Sequence, residues 1–203
     1  MEQGLNRGRG DLALLPVELE TPRLYLVPVR TQDADVVLES VRETIGPLSR
    51  WMTWCHAGYS HADAAGWIDA SRAAWVAGEA YEFDVFERSG RHVGSAGLNQ
   101  FDRANNAANL GYWVRQSSQR RGFAAEAVRR LARFAFEVAM FQRVEIVAAD
   151  GNVASRRVAE RAGATFECVA RHRLLLHGVP TAAAVYSLVP EDPGYGDLID
   201  AGT

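Results

Sequence analysis

The sequence predicts one α/β domain built on a mixed sheet, and three observations carry that prediction. Apolar and polar residues alternate over Tyr81–Glu87 and a Ser89-Gly90 turn follows, as in hairpin-linked strands. A strongly amphipathic segment over residues 124–139 reads as a helix. The β-patterned run Arg143–Ala149 comes directly after it and completes a strand–helix–strand crossover. With 203 residues, 48% of them hydrophobic, the chain suits a single core. A chain of this size buries about 70% of its unfolded surface without disulfides or metals.

The elements follow in order. Residues 1–20 read as a loose leader, residues 21–190 as the domain, and residues 191–203 as an acidic, flexible tail rich in Pro and Gly. Arg23–Val29 is the first strand. Thr31 is a candidate helix cap, with Asp33 and Asp35 in the first turn, Val36, Val37 and Val41 on the apolar side, and Gly46-Pro47 as the stop. Ser60-His-Ala-Asp63 resembles a capping box, and Gly78 stands where that helix should end. Residues 81–87, 91–100 and 109–114 form a meander with a polar loop over 102–108. After the long helix and the strand at 143–149, Asn152 caps a short helix that Gly163 ends. A hairpin around Gly178 closes the domain.

Composition excludes several functions. Net charge is −3, against the strongly basic balance of nucleic-acid binders. All 22 basic residues are arginine, which reads as compositional bias. Two cysteines, Cys55 and Cys168, make no disulfide framework. The polar first ten residues contain no secretory core, and the longest apolar run falls far short of the ~20 residues of a membrane span. A soluble cytoplasmic globule, monomer or homodimer, with no nucleic-acid or membrane partner, is expected.

The most informative segment is Gln119-Arg120-Arg121-Gly122-Phe123-Ala124, between a strand end and the long helix. A helix N-terminus offers free N–H groups and about half a positive charge, and Gly122 leaves room for an anion to approach the backbone. Residues 115–133 hold six arginines and one acid, Glu126. An ordinary strand–helix turn with solvated arginines remains the alternative. The segment is neither a Walker loop nor a dinucleotide fingerprint.

Gln119-x-x-Gly122-x-Ala124 resembles the phosphate-loop motif of the GNAT superfamily of acetyl-CoA-dependent acetyltransferases. Gly111-Tyr112-Trp113-Val114 looks like that family's fourth strand. Asn152-x-x-Ser155-x-x-Val158-Ala-Glu160-Arg-Ala-Gly163 looks like the following helix in the branch that acetylates ribosomal-protein N-termini, as do Thr21-Pro-Arg-Leu24 and Trp51-Met-Thr-Trp54. The resemblance spans roughly residues 20–190. It implies a mostly antiparallel sheet flanked by helices, with fourth and fifth strands splayed around the pantetheine arm of acetyl-CoA. Backbone of Trp113, Val114 and Arg115 would pair with pantetheine. Gln119, Arg120, Arg121, Gly122, Phe123, Ala124 and Ala125 would surround the diphosphate, and Asn152 and Ser155 would hold the reactive end.

Acyl transfer to an amine needs a neutral nucleophile, a donor for the developing oxyanion and a proton for the leaving thiolate. By the resemblance, the Val114 N–H is the oxyanion donor. The family's frequent tyrosine acid is Ala159 here, which leaves Ser155 as the proton-donor candidate. Asn152 as a plain cap and Ser155 as a backbone-bonded hydroxyl remain alternatives. Asn109 and Arg173–Leu176 stand where relatives often carry a carboxylate base. Glu82, Asp84, His92, His172 or a water chain stay open for that role. Trp51, Trp54, Asn99 and Tyr112 are candidates for the acceptor groove, with a hydrophobic plug the alternative for the tryptophans. Cys55, His56 and His61 fit no standard metal site, and no metal is expected. The expected reaction is acetyl transfer to a primary amine by direct attack. A protein or peptide N-terminus leads, ahead of a small amine (an antibiotic, aminoacyl-nucleotide or polyamine) and a non-catalytic acyl-CoA sensor.

Overall fold

The computed structural model describes residues 17–192. The expected leader up to residue 16 and the tail from residue 193 lie outside the described residues. The chain runs β1 (Leu19–Glu20), β2 (Leu24–Pro28), α1 (Ala34–Trp51), α2 (His61–Ala77), β3 (Tyr81–Glu87), β4 (His92–Asp102), β5 (Ala107–Val114), α3 (Phe123–Glu137), β6 (Arg143–Ala149), α4 (Val153–Arg161), β7 (Thr165–Leu176) and β8 (Val179–Leu188). The strands form one sheet in the order β1-β2-β3-β4-β5-β6-β8-β7.

Every neighbouring pair is antiparallel except β5 and β6. Those two pair only at Ala107–Arg143, Ala108–Val144 and Asn109–Glu145. Beyond Asn109 they part, and the sheet is split from Leu110 onward. β6 stays paired to β8 through Ala149, so the opening is confined to one side of it.

α3 buries Val128, Leu131, Phe134 and Ala135 in the main core, where Phe134 meets Tyr81 and Phe83 edge-on at 5.7 and 5.4 Å. A smaller cluster of Val37, Val41, Leu48, Cys55, Tyr59 and Ala64 joins α1 and α2, with Trp113 of β5 packed against it.

Several sequence expectations shift. α1 does not stop at Gly46-Pro47 but runs on to Trp51. Proline's fixed φ suits a helix; the cost is one lost N–H and the ring's crowding of the carbonyl four residues back. Leu48 continues the buried stripe of Val37 and Val41, and the Met52 N–H closes on the Leu48 carbonyl. Thr31 is not the cap; it begins a 3-10 turn ending at Asp33, which Arg30 holds at 2.7 Å. Leu19–Glu20, read as leader, pairs with Leu26 and Tyr25, because Leu19 finds a buried place in the core. The expected loop over 102–108 is shorter, since Asp102 accepts the N–H groups of Ala104 and Asn105 and turns the chain within four residues. The capping box is formed as expected: Ser60 and Asp63 bond each other's backbone N–H at 3.4 and 2.8 Å.

Candidate active site

The loop from Arg115 reaches α3 through a 3-10 turn at Gln116–Ser118 and ends at Gly122. Gly122 has φ +84° and is the N-cap of α3, with no side chain to cover the first N–H groups. A side chain is disfavoured there by the backbone alone, and an added Cβ would lie 3.3 Å from the Arg23 guanidinium. The helix end opens into a cleft of about 740 Å³. Among the described residues, Arg120, Arg157 and Arg161 line it and no acidic side chain does. The cleft therefore suits an elongated anion.

Most of the arginines that drew attention in the sequence point elsewhere. Arg115 is buried; it donates to Glu39 at 2.7 Å and also to Glu43. Arg121 pairs with Glu87 at 2.7 Å. Arg133 pairs with Glu137, and Arg129 and Arg130 donate to the carbonyls of Arg161 and Glu20. Of the six, only Arg120 faces the cleft, and α4 supplies Arg157 and Arg161, which the sequence reading overlooked. Their i,i+4 spacing on the helix that Asn152 starts was the available signal. Glu126, the one acid, is turned away into Thr21 and Arg23 at 2.6 and 2.7 Å. Burial would raise its pKa, but those bonds outweigh burial and lower it.

The split in the sheet presents one particular backbone unit. The Arg115 N–H bonds to the Val93 carbonyl on β4, so strand alternation turns the Val114 N–H and carbonyl toward the split. The Val114 carbonyl accepts Gln119 Nε2 at 3.1 Å, while its N–H faces the opening. The Trp113 unit faces β4, and the Arg115 N–H and carbonyl are taken by Val93 and by the Ser118 N–H, so in this structure neither backbone unit is turned to the split. The Trp113 ring still lines it. Across the split, Asn152 Oδ1 accepts the Ser155 N–H at 3.2 Å and fixes the start of α4. Tyr112 Oη lies 2.9 Å from the Ser155 carbonyl oxygen and 3.0 Å from Ser155 Oγ. Burial pushes the Tyr112 phenol up to about 12, so it stays protonated at working pH.

A second groove, of about 780 Å³, meets the first at Trp51, Met52, Tyr112, Trp113, Asn152 and Ser155. Trp51, Trp54 and Trp67 line it on one side and Arg173–Leu176 on the other. Trp54 is 43% exposed at the rim, with Tyr59 and Trp113 at 5.8 and 6.3 Å. These tryptophans line the groove, and Trp67 also packs against the α1–α2 cluster. Asn99 lies at its base beside Glu82 and Asn109.

The groups considered for the base role separate clearly. Asp84 and His92 are buried with Ser40 and Ser95: His92 Nδ1 lies 2.8 Å from Ser40 Oγ, its Nε2 3.3 Å from Asp84, and Ser95 donates to Asp84 at 2.9 Å. The residue types are those of a hydrolytic triad, but Ser40 is fully buried, and the array ties α1 to the sheet. His172 is exposed on β7. Only Glu82 reaches the groove. Cys55 is buried, which raises its thiol pKa, and Cys168 is exposed; both are free. Among the described residues no cluster of His, Cys, Asp or Glu could hold a metal ion, and no helix is long and apolar enough to cross a membrane.

Comparison with known proteins agrees with this geometry. The profile of the acetyltransferase (GNAT) domain matches residues 23–165. The candidate ribosomal N-acetyltransferase YdaF of Bacillus subtilis is 36% identical over 103 residues, 51% of this chain and 56% of that protein, so the match spans little more than half of the relative. A solved structure of a candidate ribosomal-protein-serine acetyltransferase from Vibrio cholerae is 35% identical, with a TM-score of 0.75 over 87% of this chain and 100% of the other. The fold is also that of the microcin C7 self-immunity acetyltransferase MccE, solved with acetyl-CoA and AMP, at TM-score 0.78 and 22% identity over 83% of this chain and 93% of that one. The chain thus belongs to the acetyltransferase (GNAT) domain family.

Proposed function

We propose that this protein is an acetyl-CoA-dependent N-acetyltransferase whose acceptor is the α-amine of a protein or peptide N-terminus. The observation that carries this reading is the meeting of an acid-free, arginine-lined cleft with an open aromatic groove at Tyr112 and Ser155. The similarity to the Vibrio cholerae protein supports the acceptor class.

Acetyl-CoA would supply the activated acetyl group. The uncapped N–H groups of Phe123, Ala124 and Ala125, with Arg120, Arg157 and Arg161, would hold its phosphates. The Val114 N–H is aimed into the split, where it would donate to the thioester oxygen as negative charge develops. Ser155 would hand a proton to the leaving sulfur, and Tyr112 would restore it. The groove, open at Trp54 and flanked by a run of β7, suits an extended chain end. An α-amine has a pKa of about 7.7–8.0, so much of it is already neutral near pH 8.

The test is an acetylation screen read by mass spectrometry, with free-N-terminus peptides and small amines offered together. Acetylated peptide α-amines are expected. Acetylation confined to small amines moves the acceptor to that class, and binding of acetyl-CoA without any product indicates a sensor.

A further inference from the structure

The base of the acceptor groove holds one carboxyl group in a prepared position. Glu82 on β3 faces Gly97 on β4, and Gly97 faces Gly111 on β5. An added Cβ at Gly97 would stand 1.8 Å from Glu82 Oε2 and 2.7 Å from Oε1. The carboxyl group therefore occupies the space a side chain at 97 would fill, directly over β4. Neighbouring strands lie about 4.8 Å apart, so the carboxyl sits about one strand from Gly111, on the strand that borders the split. Gly111 has no side chain of its own; the nearest side-chain atoms to the space over it are Asn99 Nδ2 and Asn109 Nδ2, at 3.8 and 4.0 Å, and Glu82 and Gly111 both line the groove.

The two carboxyl oxygens are not equivalent. Asn109 Nδ2 donates to Asn99 Oδ1 at 2.9 Å, and Asn99 Nδ2 donates to Glu82 Oε1 at 3.1 Å. Among the described residues, no protein group donates to Oε2. The two amides fix the carboxyl plane and satisfy one oxygen, leaving the other to the groove.

We propose that Glu82 is the general base of this site, accepting the amine proton at Oε2 while Asn99 and Asn109 position the carboxyl through Oε1. The proposal rests on the amine-acetylation reading and holds for either acceptor class. As the neutral amine nitrogen bonds to the acetyl carbonyl carbon, its N–H proton passes to Oε2. The carbon–sulfur bond breaks with its electron pair on sulfur, and sulfur takes a proton from Ser155, which Tyr112 reprotonates as the phenol takes a proton back from solvent. Glu82 then returns its proton to solvent through the groove. Burial raises the pKa of the Glu82 carboxyl; the Asn99 bond opposes that and the nearby Asp84 charge adds to it, as a base working near neutrality requires. The other titratable groups lining the groove are Tyr59 and Asp63 near the start of α2, Tyr112 on β5 and Arg173 on β7. His92 lies behind Asp84.

The experiment compares wild type, Glu82→Gln and Glu82→Asp by pH–rate profile, using the best acceptor from the screen. Glutamine keeps an oxygen for Asn99, so acetyl-CoA affinity and melting temperature should be unchanged. Its kcat/KM should fall about 100-fold or more. The part of the acid limb set by Glu82 should vanish, leaving only the rise that follows the fraction of free amine. Glu82→Asp should retain the limb at a reduced rate, and it decides the matter if the glutamine variant folds poorly. A Glu82→Gln rate within threefold of wild type, or an unchanged acid limb, overturns the assignment of Glu82 alone. Wild-type activity on small amines but not peptides overturns the peptide reading alone, and a wild type inert toward every amine overturns both.

Discussion

Tyr112 Oη lies 3.0 Å from Ser155 Oγ and 2.9 Å from the Ser155 carbonyl oxygen, so one phenol on β5 ties the first turn of α4 across the split in the sheet. The phenol has one proton for two acceptors. When it donates to the carbonyl, the Ser155 hydroxyl can donate to the phenol oxygen; when it donates to Ser155 Oγ, the serine proton is free to go elsewhere. A serine hydroxyl is too weak an acid to act unaided, and a phenol held at about 12 can resupply it. Ser155→Ala and Tyr112→Phe should each lower kcat about tenfold or more while acetyl-CoA affinity persists. If the two act as one relay, the double variant should be no slower than the worse single variant. Multiplicative losses in a stopped-flow or steady-state comparison would separate them.

Gly122 offers a sharper test of the anion cleft. Its φ of +84° costs an L-residue about 1–2 kcal/mol, so Gly122→Ala should lower stability by that much. Gly122→Glu adds a carboxylate at the mouth of the helix N-terminus, where the charged side chains lining the cleft, among the described residues, are arginines. Calorimetry should show acetyl-CoA affinity falling about 100-fold in Gly122→Glu and far less in Gly122→Ala. Equal losses in both would mean that strain, not charge, governs the site.

The local signals of the sequence carried much of the fold. The Ser60–Asp63 box, the Gly78 stop and the 81–87 strand depend on neighbours a few residues apart, and each formed as read. Pro47 misled because burial of Leu48 is a tertiary effect that no local rule contains. The same limit applies at the site. The glycine-bearing loop was legible, since an uncapped helix start is a property of consecutive residues. Arg115 was misread because Glu39 and Glu43 lie more than seventy residues away along the chain. Glu82 was one carboxylate among several until strand register set it against Gly97 and Asn99.

The arginines of α4 make a prediction that separates binding from chemistry. Arg157 and Arg161 line the anion cleft, outside the junction that holds Ser155 and Tyr112. Each Arg→Ala change should raise KM for acetyl-CoA several-fold and leave kcat near wild type, the pattern of lost uniform binding. Added salt should raise the wild-type KM and have less effect on the double variant, because screening weakens exposed charge pairs. A fall in kcat at unchanged KM would place these residues in the chemistry instead.

Glu43 links stability to pH through the same loop. Arg115, with a side chain 7% exposed, donates to Glu43, and the Ser117 N–H donates to Glu43 Oε1 at 2.6 Å. Burial alone would raise this carboxyl's pKa, but the Arg115 and Ser117 bonds outweigh it and hold the group at about 2. The folded value lies below the unfolded value of about 4.3. Ionised Glu43 therefore stabilises the fold fully above about pH 5, and its contribution drains away as pH falls toward 2. Glu43→Gln should cost about 2 kcal/mol at pH 7, the worth of a charged hydrogen bond. For a chain of this length that corresponds to a melting temperature lower by about 5 °C. The gap should narrow as the wild type is titrated below pH 4, since protonation does to the wild type what the substitution has already done. Glu39, 68% exposed on the same guanidinium, should show a much smaller effect when changed to glutamine. A Glu43→Gln gap that stays constant from pH 7 to pH 3 would show that the carboxylate charge is not what holds Arg115 and the loop in place.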